Sequence, residues 1–226
     1  MIQGHAGGFT YDVYPGQGGA DAGCILFASL AQQPFDPTPL LANMQSNIVV
    51  IQIEDWDDDM TPWPAPGLYA GDPDFKGLAS QTRNRIMDEL LPHLRQDEGL
   101  ETSRLGIAGY SLGGLFALYT FLNDERFATV ASMSGSLWYE GWLGYLDSLD
   151  KTHRTLSGNF AYLSIGDKEK RAKEKILHCV EDNTVKTAEV LRSWGMRVEY
   201  ELNPGNHFQH AGERVAAGLQ AIDAWL

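Results

Sequence analysis

The chain has few basic residues, only two cysteines and no long apolar run. Its 17 Lys and Arg stand against 30 Asp and Glu, a formal net charge of −13, with a sequence pI near 4.7. Nucleic acids and anionic membranes attract basic proteins, so neither is an expected partner. The excess of acid reads as a solubilising surface. No stretch reaches the ~20 apolar residues that cross a bilayer. The opening "MIQGHAGGFTYDVY" has no basic segment followed by an apolar core, so no signal peptide is read in it. Cys24 lies in an apolar, strand-like run and Cys179 in a helix-like run, and neither has CxxC or Cys/His metal spacing. Reduced structural thiols and a cytoplasmic location are the expectation. Internal repeats, low-complexity tracts and linker-like segments are missing too. With 43% hydrophobic residues in 226, the chain can bury one substantial core, and residues 1–226 are expected to form a single domain.

What is present is alternation. "FTYDVYP" (Phe9 to Pro15) has the period of a strand, and "GCILFAS" (Gly23 to Ser29) and "NIVVIQI" (Asn47 to Ile53) are continuously apolar, as in strands covered on both faces. A short helix is expected near Pro39 to Gln45. "EDWDDDMTPWPAPG", with its acidic cluster and three prolines, is expected to be irregular. Helical spacing follows in "LASQTRNRIMDELLPHL", then a strand in "RLGIAGY", a helix in "GGLFALYTFL" and a strand in "FATVASMS". "WYEGWLGYL" reads as a short helix, "NFAYLSIG" as a strand and "RAKEKILHCVEDNTVKTAEVLRSWG" as one long helix. "RVEYEL" is the last strand and "AGERVAAGLQAIDAWL" the last helix. The pattern predicts an α/β fold with a mostly parallel sheet and helices on both faces.

Ser111 falls at one strand-to-helix junction of that sheet, among Gly106, Gly109, Gly113 and Gly114. Ligands of open α/β sheets bind beyond the carboxyl ends of the strands. "GYSLG" fits the nucleophile pattern G-x-S-x-G, in which a strained turn exposes the serine hydroxyl and the flanking positions must be small. A hydroxyl needs a base to become a nucleophile. In this pattern the chain order is serine, acid, histidine. "NPGNHFQHAG" supplies His207 in the loop before the last helix, with His210 three residues on and more readily a surface residue. His93 and His178 sit in helical settings and read as surface residues; His5 and His153 have no informative context. The acid is expected after "NFAYLSIG", where Asp167 and Glu169 compete.

"GYSLGGLFALY", "SGSLWY", "SIGDKE", "GNHF" and "DMTPW" together resemble the "Putative esterase" branch of the α/β-hydrolases, and most of all the enterochelin-esterase-like siderophore hydrolases, among them the bacillibactin and salmochelin esterases. The likeness runs from the first strands to the last helix. It implies an α/β-hydrolase fold without a large cap, consistent with the ~25 residues between "FATVAS" and the next strand. It also implies that the acid stands three residues after the strand-ending Gly166, which selects Glu169 and leaves Asp167 as the alternate. Some siderophore esterases of similar sequence work with a Ser–His dyad. One oxyanion donor would be the N–H of Leu112, the residue after the nucleophile. The other would come from the "ILFASLAQQPF" loop, at Leu30 or Ser29; the His-Gly pair that many hydrolases carry there is absent.

The chemistry so implied is cleavage of a small-molecule carboxylic ester through an acyl-enzyme on Ser111, with His207 as base and no metal or organic cofactor. Trp56 and Trp63 follow the Asn47–Ile53 strand, and Trp138 follows the strand after the nucleophile helix, so all three are expected at an aromatic-rimmed cleft suited to aryl or catechol acyl groups. Against an anionic ferric catecholate stands the run Asp55, Asp57, Asp58 and Asp59, with Lys76, Arg83, Lys168 and Lys170 as the available cations. An acyltransferase would use the same serine, and a non-catalytic binding protein of this fold would be expected to have lost serine or histidine. The oligomeric state is not encoded in any pattern found here.

Overall fold

The computed structural model describes residues 1–69, 71–149 and 156–226; His153 lies outside them. One eight-stranded sheet has the order β1-β2-β4-β3-β5-β6-β7-β8. The strands are β1 (Ile2–Ala6), β2 (Phe9–Tyr14), β3 (Cys24–Leu30), β4 (Asn47–Ile53), β5 (Leu105–Tyr110), β6 (Phe127–Met133), β7 (Phe160–Gly166) and β8 (Arg197–Asn203). β1 and β2 are antiparallel additions at one edge, and β3 through β8 run parallel to one another. Every expected strand is present. β1 was not anticipated. Its sequence, IQGHA, lacks apolar alternation because this edge strand is exposed along most of its length.

The helices are α1 (Trp56–Asp59), α2 (Ala79–Arg85), α3 (Leu91–Gln96), α4 (Leu112–Asn123), α5 (Trp142–Ser148), α6 (Val180–Ser193) and α7 (Ala211–Asp223). Alternation along the central strands divides the core between two faces. Leu26 and Ala28 of β3 and Val49 and Ile51 of β4 pack with Leu115, Phe116 and Phe121 of α4. Ile25, Phe27, Ile48 and Val50 point the other way, into a cluster with Val215, Leu219 and Ile222 of α7. No described helix is long and apolar enough to cross a membrane. Among the described residues, α5 is the one α-helix in the β6–β7 connection.

Four local expectations are corrected. The acidic segment after β4 contains a helical turn, α1. Asp57, Asp58 and Asp59 lie in its first turn, where the helix dipole favours carboxylates, and Pro62 follows its end. The long helix expected from Arg171 begins only at Val180; Glu169–Arg171 and Lys175–Cys179 form separate 3-10 turns. The run KEKRAKEK carries no apolar stripe to hold a helix against the sheet, whereas Val180, Thr184, Ala188 and Leu191 do. The helix after residue 78 is interrupted by a π-type turn at Ile86–Leu90, just before Pro92, whose ring and missing N–H oppose a regular bond to the carbonyl four residues back. His93, expected as a surface residue, is half-buried and bonded through Nε2 to the Tyr11 hydroxyl at 2.8 Å.

Candidate active site

The turn between β5 and α4 places Ser111 at φ 58°, ψ −126°, in the positive-φ region that non-glycine residues avoid. The glycines beside it make that turn sterically possible. A Cβ on Gly109 would lie 2.1 Å from the Gly113 carbonyl oxygen, and one on Gly114 would lie 2.8 Å from Ser132 Oγ and 2.9 Å from Gly135 Cα. Gly109→Ala therefore forces backbone to move. It is expected to cost roughly 3 kcal/mol, the upper part of the overpacking range, read as a lower urea midpoint.

Ser111 Oγ lies 3.1 Å from His207 Nε2, and His207 Nδ1 lies 2.8 Å from Glu169 Oε2. The three side chains come from three different loops at the carboxyl end of the sheet: β5–α4, β8–α7 and the turn after β7. His207 Nδ1 faces an acceptor-only carboxylate, so its ring carries the proton there and presents Nε2 to the serine. Glu169 is buried, with its side chain 5% exposed. Burial alone would raise its carboxyl above the ordinary value. The hydrogen bond and charge of His207, then the Ser134 hydroxyl and the Gly166 N–H, outweigh that and hold it below the ordinary value.

Asp167, the alternate acid, does not reach His207. Its Oδ1 accepts the Gly205 N–H at 2.8 Å, and the Lys168 N–H meets the Gly205 carbonyl at 3.1 Å, so the turn after β7 is laced to the histidine loop. His210 is exposed and bonded to Glu213 at 3.0 Å. Leu112 is the first residue of α4, where N–H groups have no partner within the helix. Leu30 lines the cleft in front of Ser111. The Ala31 N–H bonds the Ile53 carbonyl on the β4 side, so strand alternation turns the Leu30 N–H toward β5 and the serine, and the Ser29 N–H away. Ser29 is buried and its hydroxyl accepts the Phe35 N–H at 2.8 Å.

These groups open into a cleft of about 1450 Å³. Trp56 and Trp138 line it, together with Tyr69, Phe75 and Phe208. Trp63 does not line it. Its indole N–H donates to the Glu140 carbonyl at 2.8 Å and its ring packs on Tyr139 and Tyr145, so it anchors one loop to another. The cleft is charged on both sides: Asp55, Asp57, Asp72 and Asp74 on the α1 side, and Lys168, Arg171 and Lys173 on the side of the turn after β7. Lys76 also lines it and is paired with Asp58. Arg83 and Lys170 lie outside this lining; Lys170 is paired with Glu181 at 2.8 Å.

Sequence reasoning missed four polar residues here. The Ser136 hydroxyl is 3.4 Å from Ser111 Oγ and its N–H donates to the Ser111 carbonyl. Tyr110, Ser134 and Arg214 surround the outer oxygen of Glu169 and the histidine loop. Arg214 had one legible signal: a charge at the edge of the inward stripe formed by Val215, Gly218, Leu219 and Ile222.

Fold and site define the class: an α/β-hydrolase with a serine, a histidine and a carboxylate in hydrogen-bonded sequence. The chain belongs to the "Putative esterase" family, whose sequence profile matches residues 41–214; that family stands among the carboxylic-ester hydrolases. It is similar to the uncharacterized protein YbbA of Bacillus subtilis (strain 168), with 30% identity over 135 residues, 57% of this chain and 52% of that protein. The match thus spans about half the length of that curated relative. Among solved structures, the chain is similar to an IroE-like serine hydrolase from Shewanella oneidensis, at TM-score 0.75 and 18% identity, covering 96% of this chain and 76% of that one. The siderophore hydrolase EstA from Aspergillus nidulans superposes at TM-score 0.72 and 18% identity, covering 96% and 90% of the two chains. A ferulic acid esterase does so at TM-score 0.68 and 15% identity, covering 96% and 93%.

Proposed function

We propose that the protein hydrolyses carboxylic esters by acyl transfer to Ser111. The observation that carries this reading is the chain of two hydrogen bonds, 3.1 Å from Ser111 Oγ to His207 Nε2 and 2.8 Å from His207 Nδ1 to Glu169, at the floor of an open cleft. His207 takes the hydroxyl proton as Ser111 Oγ bonds to the ester carbon. The resulting oxyanion is met by the N–H groups of Leu112 and Leu30, aimed where negative charge develops. His207 then protonates the departing alcohol, and water, deprotonated by the same ring, releases the acid. Glu169 holds the tautomer and offsets the imidazolium charge.

Trp56 and Trp138 support an aryl acyl group as the preferred substrate, lying flat between aromatic walls. The siderophore and ferulic esters named for the structural relatives belong in the panel for the same reason. The carboxylates on the α1 side disfavour a highly anionic substrate approaching from that side. The direct test combines p-nitrophenyl acetate, butyrate and octanoate with methyl ferulate, and adds labelling by a fluorophosphonate. The expected result is hydrolysis of the panel, with the aryl acyl ester turned over at the highest kcat/KM, and a single adduct on the peptide containing Ser111. A protein that cleaves none of these esters and takes no label would overturn the reading.

A further inference from the structure

Four loops meet at the guanidinium of Arg214, in the first turn of α7, whose side chain is 1% exposed. Nη1 donates to the Tyr110 hydroxyl at 2.8 Å, to Ser134 Oγ at 2.7 Å and to Glu169 Oε1 at 3.2 Å. Nη2 donates to the carbonyls of Asn206 and Gln209 at 2.8 and 2.6 Å, on either side of His207. Tyr110, the residue before Ser111, donates its own hydroxyl in a hydrogen bond to the His207 carbonyl. The geometry assigns Arg214 as a positioning residue for the proposed serine chemistry: one rigid fork sets the spacing between the acid and the base.

Glu169 Oε1 accepts from three donors, Arg214 Nη1, the Ser134 hydroxyl at 2.7 Å and the Gly166 N–H at 2.9 Å. Rotating the carboxylate would break all three, so Oε2 alone is left to His207 Nδ1. The guanidinium is planar, and the two nitrogens that tie Glu169 and the histidine loop are fixed relative to one another. Ser134 is itself held at φ 45°, its N–H bonded to the Ser164 carbonyl, which aims its hydroxyl at Oε1. A structural ion pair alone would need Glu169 and Arg214. It would not need a second nitrogen on two carbonyls of the loop that carries the base, nor a tyrosine linking the same cation to that loop and to the nucleophile strand. A lysine ammonium is a point donor and does not span these groups.

This inference rests on the serine-esterase reading, and its test separates the two. Arg214→Met, Arg214→Lys and Tyr110→Phe are compared with the wild type at a temperature where circular dichroism shows each folded. Rates are normalised to sites titrated with fluorophosphonate. Arg214→Met is expected to lower kcat about 100-fold with KM within about threefold, since a displacement near 1 Å costs about that much. Arg214→Lys recovers little of the loss, and Tyr110→Phe loses about tenfold. The far-downfield proton resonance of the His207–Glu169 bond is expected to broaden or vanish in Arg214→Met. A folded Arg214→Met protein with kcat within threefold of the wild type and an intact resonance would show that Arg214 only holds the fold. Should Arg214→Met not fold, wild-type kcat in both Arg214→Lys and Tyr110→Phe overturns the inference equally. Failure of the wild type to cleave any ester or take the label strikes the esterase reading instead, while the resonance still reports whether Arg214 sets the acid–base bond.

Discussion

Ser111→Ala is expected to lower kcat for p-nitrophenyl butyrate by about 10⁵- to 10⁶-fold. The change removes the only atom proposed to bond the ester carbon. It leaves the backbone strain in place, because alanine carries the same Cβ at the same positive φ. Stability is therefore expected to stay within about 1 kcal/mol of the wild type, with the lost hydroxyl contacts to His207 and Ser136 only half-buried. His207→Ala should fall by a similar factor, and the double variant by little more, because nucleophile and base act as one unit. A residual rate of about 10³-fold over water would remain with the oxyanion donors and substrate binding. The neighbour at 3.4 Å supplies a sharp control. If Ser111→Ala keeps measurable turnover that disappears on adding Ser136→Ala, the second hydroxyl is acting as a substitute nucleophile. Wild-type activity in Ser111→Ala would mean that the strained turn between β5 and α4 serves another purpose and that the cleft should be studied for binding.

Much of this arrangement is legible in the residues. Strands such as Asn47–Ile53 announce themselves because both of their faces are buried, and Ser111 because four glycines gather where the period changes. His207 follows from the order of elements. The structure also brings Glu169 to it and gives Asp167 a different contact, the Gly205 N–H. Other features have no local signature. β1 is held by pairing with β2, which depends on a partner strand and not on its own composition. The failure of the helix between Arg171 and Cys179 shows that charge-rich sequence with good helix propensity still needs an apolar stripe to dock. Trp63 illustrates the limit of reading aromatics by position. A tryptophan just past a strand end can close a loop as readily as it can line a cleft, and its indole N–H settles here on Glu140. The ring of polar groups around Glu169 is drawn from residues 110, 134, 166 and 214, a set of contacts made by the whole fold and invisible to spacing.

Glu169→Gln carries the second large effect, on rate and on stability together. Gln keeps the shape of the side chain but can offer an amide donor to His207 Nδ1, favouring the tautomer with its proton on Nε2, where it cannot accept the serine proton. A loss of about 10⁴-fold in kcat is expected, with KM little changed. A loss under tenfold would instead show that a Ser111–His207 dyad suffices. Asp167→Asn, which touches only the Gly205 tether, is expected to cost tenfold or less. Stability follows from the same bonds. Replacing the carboxylate leaves Arg214 buried with its cation uncompensated, a penalty of about 3 kcal/mol near pH 7. The sign with pH is fixed by the direction of the Glu169 shift. Its carboxyl is held below the ordinary value in the folded protein, so its contribution is fully present above the unfolded value of about 4.3 and is lost as pH falls through the lower, folded one. Urea unfolding at a series of pH values should therefore show the wild type and Glu169→Gln far apart near neutrality and converging in acid, with the flatter acid limb in the variant. Parallel curves would mean that folding leaves the Glu169 carboxyl unshifted, and a wild type that loses stability relative to Glu169→Gln as pH rises would mean that Glu169 is protonated in the folded protein. A neutral carboxylic acid there could still orient His207, but it could not offset the imidazolium, and the acid's part in the proposed chemistry would reduce to geometry alone.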